Sequence, residues 1–290
     1  MNVPARQPSP VISDADFVAF RDYFYRRTGI RFADNKRYFV DKRLISRIEA
    51  TGHTSFRAWF TAMRFQSSGE ELSALINVMT VNETYFFRER YQFDALVRRI
   101  LPELVEGRRR SDALRILCLP CSTGEEPYSI AITLSEAWDG LDDWDVEIVG
   151  ADIDRSVLGR AREGRYRPGV LRHVSAEQQA RWFRPLSDGR REIDADLRDS
   201  ITFEHANLVD PASMARLGVF DVVFCRNVLI YFDDITRRTA VENLFEHVRP
   251  GGFIFLGHSE SMSRISSLFV PRRFPEAVAY QHPLPSRSIR

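Results

Sequence analysis

The sequence predicts an α/β chain: a doubly wound parallel sheet carrying a small β insert, preceded by a small all-α N-terminal domain. Three observations lead there. From Leu114 onward short apolar runs alternate with helical patterns, as successive βαβ units do. Before about residue 80 only helical periods occur. Between about 182 and 203 the charged segment RPLSDGRREIDADLRDS places a Ser-Asp-Gly turn between two short alternating stretches, the mark of a hairpin.

Taken in order, residues 1–10 are proline-rich and expected to be a loose tail, and residues 11–80 form the helical domain. Ser13 with Asp16 makes a capping-box start, Phe17, Phe20 and Phe24 share one face, and Gly29 ends the helix. A second helix over about Asp34–Glu49 is expected to bury Val40, Leu44, Ile45 and Ile48. A third buries Phe56, Trp59, Phe60 and Met63, and a fourth buries Leu72, Leu75, Ile76 and Met79. Residues 81–290 form the second domain. There, after a helix near Tyr91–Val105, the strands read LRILCL, VEIVGADID, ITFEH, FDVVF and FIFLG, and FVPRRF with AVAYQ closes the sheet as an antiparallel pair.

Composition bounds the class. The chain has 290 residues, 44% hydrophobic and 28% charged, with a net charge of +1, an ordinary globular balance. No run approaches the roughly 20 apolar residues that span a bilayer, and the N-terminus lacks a signal-peptide core, so a cytoplasmic protein with no membrane insertion is expected. Three cysteines fit a reducing compartment. Cys118-x-x-Cys121 has the spacing of a zinc or redox half-site, but it has no second pair and lies in an apolar strand, and the six histidines have no ligand spacing. No metal is expected. Charge is concentrated: from Arg21 to Arg64 eleven basic residues face four acidic ones, a local +7. Such a patch suits an acidic macromolecule; a solvated helix face explains it equally well. The whole-chain pI near 7.8 argues against nucleic acid.

The chemistry centres on Leu114–Ala131, LRILCLPCSTGEEPYSIA, read as strand, tight polar turn and helix start. One glycine and two carboxylates suit no pyrophosphate, which needs bare backbone amides. Glu125 and Glu126 suit a cationic ligand instead. The next strand ends in Asp152 and Asp154, where an acid commonly accepts ribose hydroxyls. A nucleoside with a cationic tail satisfies both, and S-adenosylmethionine is the common one. A plain βαβ unit with acids serving as helix caps satisfies the pattern too. Asn207 and Leu208, then Arg226 and Asn227, close later strands and fall on the same crevice. Asn82, Thr84 and Arg88, in NVMTVNETYFFRER between the two predicted domains, alternate polar with apolar residues and suit a wall of the site.

In order and spacing, NETYFFRE, CSTGEEPYSIA, GADID, ANL, FDVVFCRNVLIYF and GHSES resemble the CheR family of chemotaxis-receptor glutamate O-methyltransferases. The resemblance spans about Asp16 to Tyr280. It implies a Rossmann-like class I methyltransferase sheet and a cytoplasmic enzyme of chemotaxis signal transduction. Its expected reaction moves the methyl group of S-adenosylmethionine to receptor glutamates, leaving methyl esters and S-adenosylhomocysteine. It further implies cofactor contacts at Asn82, Thr84, Arg88, Glu126, Asp152, Asn207, Leu208, Arg226 and Asn227, with Arg88 and Tyr231 near the transferred methyl. Without the family Tyr231 reads as a core aromatic beside Phe232. A carboxylate attacking a sulfonium needs neither metal nor strong base, so alignment carries most of the catalysis. A small-molecule or RNA methyltransferase and a non-catalytic cofactor sensor are the competing classes. The expected partner is an acidic methyl-accepting chemoreceptor helix, met by the basic helical domain. The short, charged insert, with one glycine at Gly189, is expected to leave the enzyme independent of a receptor C-terminal tail peptide.

Overall fold

The computed structural model describes residues 10–285, so the tail expected over 1–10 lies, Pro10 apart, outside the described residues. The chain forms two compact units, Met1–Val81 and Asn82–Arg290.

The first unit holds four helices: α1 (Asp14–Thr28), α2 (Arg37–Ala50), α3 (Phe56–Phe65) and α4 (Glu70–Met79). Ser13 and Asp16 form the expected reciprocal cap, and Gly29 ends α1 at φ 74°. Phe20, Phe24 and Trp59 are fully buried, each contributing roughly 1.5–3 kcal/mol by leaving water. Two expectations fail. Asp34–Lys36 is a separate 3-10 turn ahead of α2, and Ile45 and Leu72 are only half-buried. The buried place on α4 goes to Glu71, because the Trp59 indole N–H donates to it at 2.7 Å and Arg47 at 2.5 and 3.1 Å. Part of the basic patch is therefore structural. Arg37 pairs with Asp14 and Asp41. Arg43 donates to the Val78 carbonyl at 2.6 Å and lies over the Phe39 ring. Lys36 and Lys42 are exposed and form no ion pair among the described residues.

The second unit opens with one helical stretch, α5 (Tyr91–Ala95) running through a π turn at Leu96–Ile100 into α6 (Leu101–Val105). It then alternates: β1 (Leu114–Cys118), α7 (Glu125–Ala137), β2 (Val146–Asp152) and α8 (Arg155–Glu163). After a small sheet come β6 (Ile201–His205), α11 (Pro211–Ala215), β7 (Phe220–Phe224), α12 (Asp234–His247), β8 (Val248–Phe255), β9 (Val270–Arg273) and β10 (Val278–Gln281). The main sheet runs β6-β2-β1-β7-β8-β10-β9. It is parallel through β8, and β10 and β9 close it antiparallel. The order turns around β1, whose neighbours are β2 on one side and β7 on the other. The crevice beyond its carboxyl end is where such sheets take ligands.

The insert is larger than the sequence suggests. Its hairpin, β4 (Phe183–Pro185) and β5 (Arg191–Ile193), turns at Gly189, but a third strand, β3 (Arg165–Tyr166), pairs with β5, giving the order β3-β5-β4. The helix α9 (Ala176–Trp182) leads into it and α10 (Ala195–Asp199) leads out. Buried Glu192 ties the strands by pairing with Arg165 at 2.9 Å and with Arg184. Gly164 is required where β3 begins, since a Cβ there would stand 2.6 Å from the Ile193 side chain at φ +63°.

Candidate active site

The turn after β1 is held by backbone geometry that few residues tolerate. Gly124 caps α7 at φ +92°, where a Cβ would meet Ala161 and Tyr128 at 3.0 Å. Ser122 is left-handed at φ 49°, and so are Phe87, Glu89 and Asn227. All four non-glycine residues of this kind among the described residues belong to loops around this crevice. Strain of this sort concentrates where surrounding bonds enforce it.

Asp152, 3% exposed at the end of β2, is the brace. Its carboxylate accepts the Ser122 and Asp154 N–H groups, each at 2.9 Å. Burial pushes it up to about 6, against those two donors. Each oxygen keeps a lone pair for a hydroxyl. Asp154 is what the bland reading expects of such acids, the N-cap of α8 with its Oδ1 accepting the Ser156 N–H. Its Oδ2 also accepts from Asn82 at 3.2 Å. Glu125 points inward, shares the Thr123 hydroxyl, and is pushed up to about 7 by burial.

Glu126 meets Arg226 at 2.6 Å. Arg226, whose side chain is 2% exposed, also reaches Glu89 at 3.3 Å and donates to the Arg88 carbonyl at 2.7 Å. Burial raises Glu126 and the guanidinium only partly offsets it. Burial also acts on Glu89, but Arg226, His258 and Tyr91 together outweigh it and hold that carboxyl low. Glu126 Oε1 and Ser122 Oγ are buried without a hydrogen-bond partner. These two orphans, one carboxylate and one hydroxyl on the same turn, fit a ligand bearing an ammonium and polar hydrogens.

Of the other anticipated residues, Arg88 is half-buried, donates to the Glu83 carbonyl at 2.9 Å and lies near Tyr231. Tyr231 is 37% exposed, whereas Phe232 is 5% exposed, so the core reading fits Phe232 and not Tyr231. Burial raises the Tyr231 hydroxyl, with Arg88 pulling the other way. Thr84 is half-buried and makes no side-chain hydrogen bond among the described residues. Asn207 and Leu208 sit at the end of β6. The Asn207 N–H goes to Ser213 and its side-chain oxygen to the Val209 N–H, while the buried Leu208 gives its carbonyl to Asn243. Asn227 is fixed by a residue that sequence reasoning passed over. Glu260 accepts the Asn227, Leu229 and Gly257 N–H groups at 2.8, 2.8 and 2.9 Å, tying the end of β8 to the loop that carries Asn227 and Tyr231. Gly257 allows that approach: a Cβ there would stand 2.5 Å from the Asn227 amide. Glu260 is the acid of the GHSES motif, which belongs to the family resemblance without a role for that residue. Cys118, Cys121 and Cys225 are all buried free thiols, and no metal-holding cluster occurs among the described residues.

A family model described as "CheR methyltransferase, all-alpha domain" matches residues 15–80, and "CheR methyltransferase, SAM binding domain" matches 82–277. The chain is 50% identical over 278 residues to "Chemotaxis protein methyltransferase 2" of Vibrio cholerae, covering 96% of each chain. It is 36% identical over 257 residues to "Chemotaxis protein methyltransferase" of Salmonella typhimurium, covering 88% of this chain and 86% of that one.

Proposed function

The chain belongs to the CheR methyltransferase family, and from that premise we propose that it transfers the methyl group of S-adenosylmethionine to glutamate side chains of chemoreceptors. The observation that carries the reading is the turn 121–126, whose orphaned Glu126 Oε1 and Ser122 Oγ lie between Arg226 and the Asp152 brace. The cofactor brings an already activated sulfonium methyl. Glu126 takes its ammonium, Asp152 the ribose hydroxyls, and Asn82, Thr84, Asn207, Leu208 and Asn227 line the remainder. Arg226 favours the ionised form of Glu126 against its burial and orients it.

At the acceptor, Arg88 and the Tyr231 hydroxyl orient the substrate carboxylate in line with the methyl–sulfur bond. The attacking oxygen is ionised at neutral pH, so no side chain has to remove a proton. Positioning is therefore the main contribution. The protein acts in the cytoplasm, where receptor signalling helices are found. Exposed cations of the helical unit, Lys36 and Lys42 among them, meet the acidic receptor. The edge strand β4 is three residues long and ends in Pro185, a poor template for strand addition. Recognition is accordingly independent of a receptor tail.

The test is transfer of radiolabelled methyl to cognate receptor membranes. Label released by mild alkali as volatile methanol supports the ester. Alkali-stable label, or no transfer, refutes it.

A further inference from the structure

We propose that the cavity between the start of α12 and the segment 259–265 is a second substrate subsite, which takes acidic side chains of the receptor helix next to the glutamate being methylated. This deepens the function proposed above and rests on it. The cavity measures about 290 Å³ and is walled by three arginines, Arg237, Arg238 and Arg264. Leu229, Ile230 and Ile265 supply its apolar lining.

Its two acids are already engaged. Asp234 pairs with Arg237 at 3.0 Å, and both Glu260 oxygens accept backbone N–H groups. Arg238 and Arg264 are exposed, and their side chains have no ion pair or hydrogen bond among the described residues. The cavity therefore presents two uncompensated guanidinium groups, suited to carboxylates.

The cofactor is not the occupant. None of the residues assigned to it, at the ends of β1, β2, β6 and β7, lines this space. The acceptor polypeptide is favoured by continuity and by shape of charge. Leu229 and Ile230 belong to the same turn as Tyr231, so the cavity adjoins the turn that carries the residue proposed to orient the acceptor. Ile230 and Ile235 are 47% and 72% exposed, large apolar groups that precede Arg237 and Arg238 in the same stretch of chain. Apolar and cationic groups side by side complement a helix carrying acids on one stripe and apolar residues beside it.

The experiment compares the wild type with R238E/R264E and R238K/R264K in receptor methylation at low and high salt, with calorimetric titration of S-adenosylhomocysteine on each. The charge reversal is expected to raise the receptor KM about tenfold or more at low salt, less at high salt, while cofactor affinity stays unchanged and the lysine pair remains near wild type. An unchanged receptor KM in the reversal variant overturns the subsite but leaves the enzyme's function standing. Equal losses in both variants, or micromolar competition by inorganic phosphate, also overturn it, the latter making the cavity a small-anion site. No transfer by the wild type overturns both readings.

Discussion

Arg226 is a buried charge on which two carboxylates of the methyltransferase unit depend. It is almost wholly enclosed and faces two carboxylates, Glu126 at 2.6 Å and Glu89 at 3.3 Å. Replacing it with Met keeps the length and removes the charge, which leaves two largely buried carboxylates facing one another. Breaking a buried pair by removing one partner costs about 3–5 kcal/mol. For a unit of this size that is a fall of roughly 6–20 °C in Tm, at about 2–4 °C per kcal/mol. The loss has a pH signature. Without the guanidinium Glu126, already raised by burial, rises further, and Glu89 loses the main charge that holds it low and rises too. A group shifted that way adds stability at low pH and loses it as pH rises through the folded value. The deficit of Arg226→Met against wild type should thus be full near pH 8 and shrink towards pH 5. Urea titrations of both proteins at the two pH values measure it. A deficit under about 1 kcal/mol at pH 8, or one that grows on acidification, would refute the assignment of Arg226 as the charge that compensates this pair.

Glu125, pushed up to about 7, contributes stability below its unfolded value of about 4.5 that disappears as pH rises through 7; wild type should lose up to about 3 kcal/mol relative to Glu125→Gln between pH 4.5 and 8, read by urea melts, and a flat difference would contradict it. Tyr231→Phe should lower kcat with little change in S-adenosylhomocysteine affinity, because the hydroxyl acts on the acceptor side; equal losses in both would move Tyr231 to the cofactor. In the helical unit, Lys36→Glu with Lys42→Glu should raise the receptor KM at low salt without altering Tm, whereas Arg47→Glu should lower Tm because Arg47 holds buried Glu71; a Tm loss in the lysine pair would mark those residues as structural. Deleting the receptor's last residues should leave methylation nearly unchanged, while a severe slowing would show that the small sheet captures the tail.

Strands β1, β2, β7 and β8 were legible because each holds an apolar run cut short by a polar turn, the mark of a parallel sheet buried on both faces; β6, at the edge, alternates instead. The small sheet was half legible. Its hairpin has a turn signal, but β3 is two residues long and no pattern is visible at that length. In the helical unit the apolar period overreached at Ile45 and Leu72, since a helix face is wider in sequence than the stripe that packing covers. Glu71 could not be read as buried from its own neighbours: Trp59 and Arg47, which satisfy it, lie 12 and 24 residues away. At the site, the acids at strand ends announced themselves, and the spacing placed them together. Their division of labour did not. Nothing in GADID says that Asp152 braces a turn while Asp154 caps a helix. Glu260 left no periodic trace, because a carboxylate that gathers three N–H groups from segments up to 33 residues away is a purely tertiary event.

The left-handed backbone at Phe87, Glu89, Ser122 and Asn227 also bears on how such a protein can be improved. Positions like these are where glycine would relieve strain, typically on the order of 1 kcal/mol or more. A screen for thermal tolerance would be drawn to them. Yet each relief loosens a loop that Asp152, Glu260 or Arg226 has been spent on fixing. At Ser122 it would also delete the orphaned hydroxyl. Gains in heat resistance should therefore be sought in the helical unit and on the outer strands, where tightening the fold does not compete with turnover.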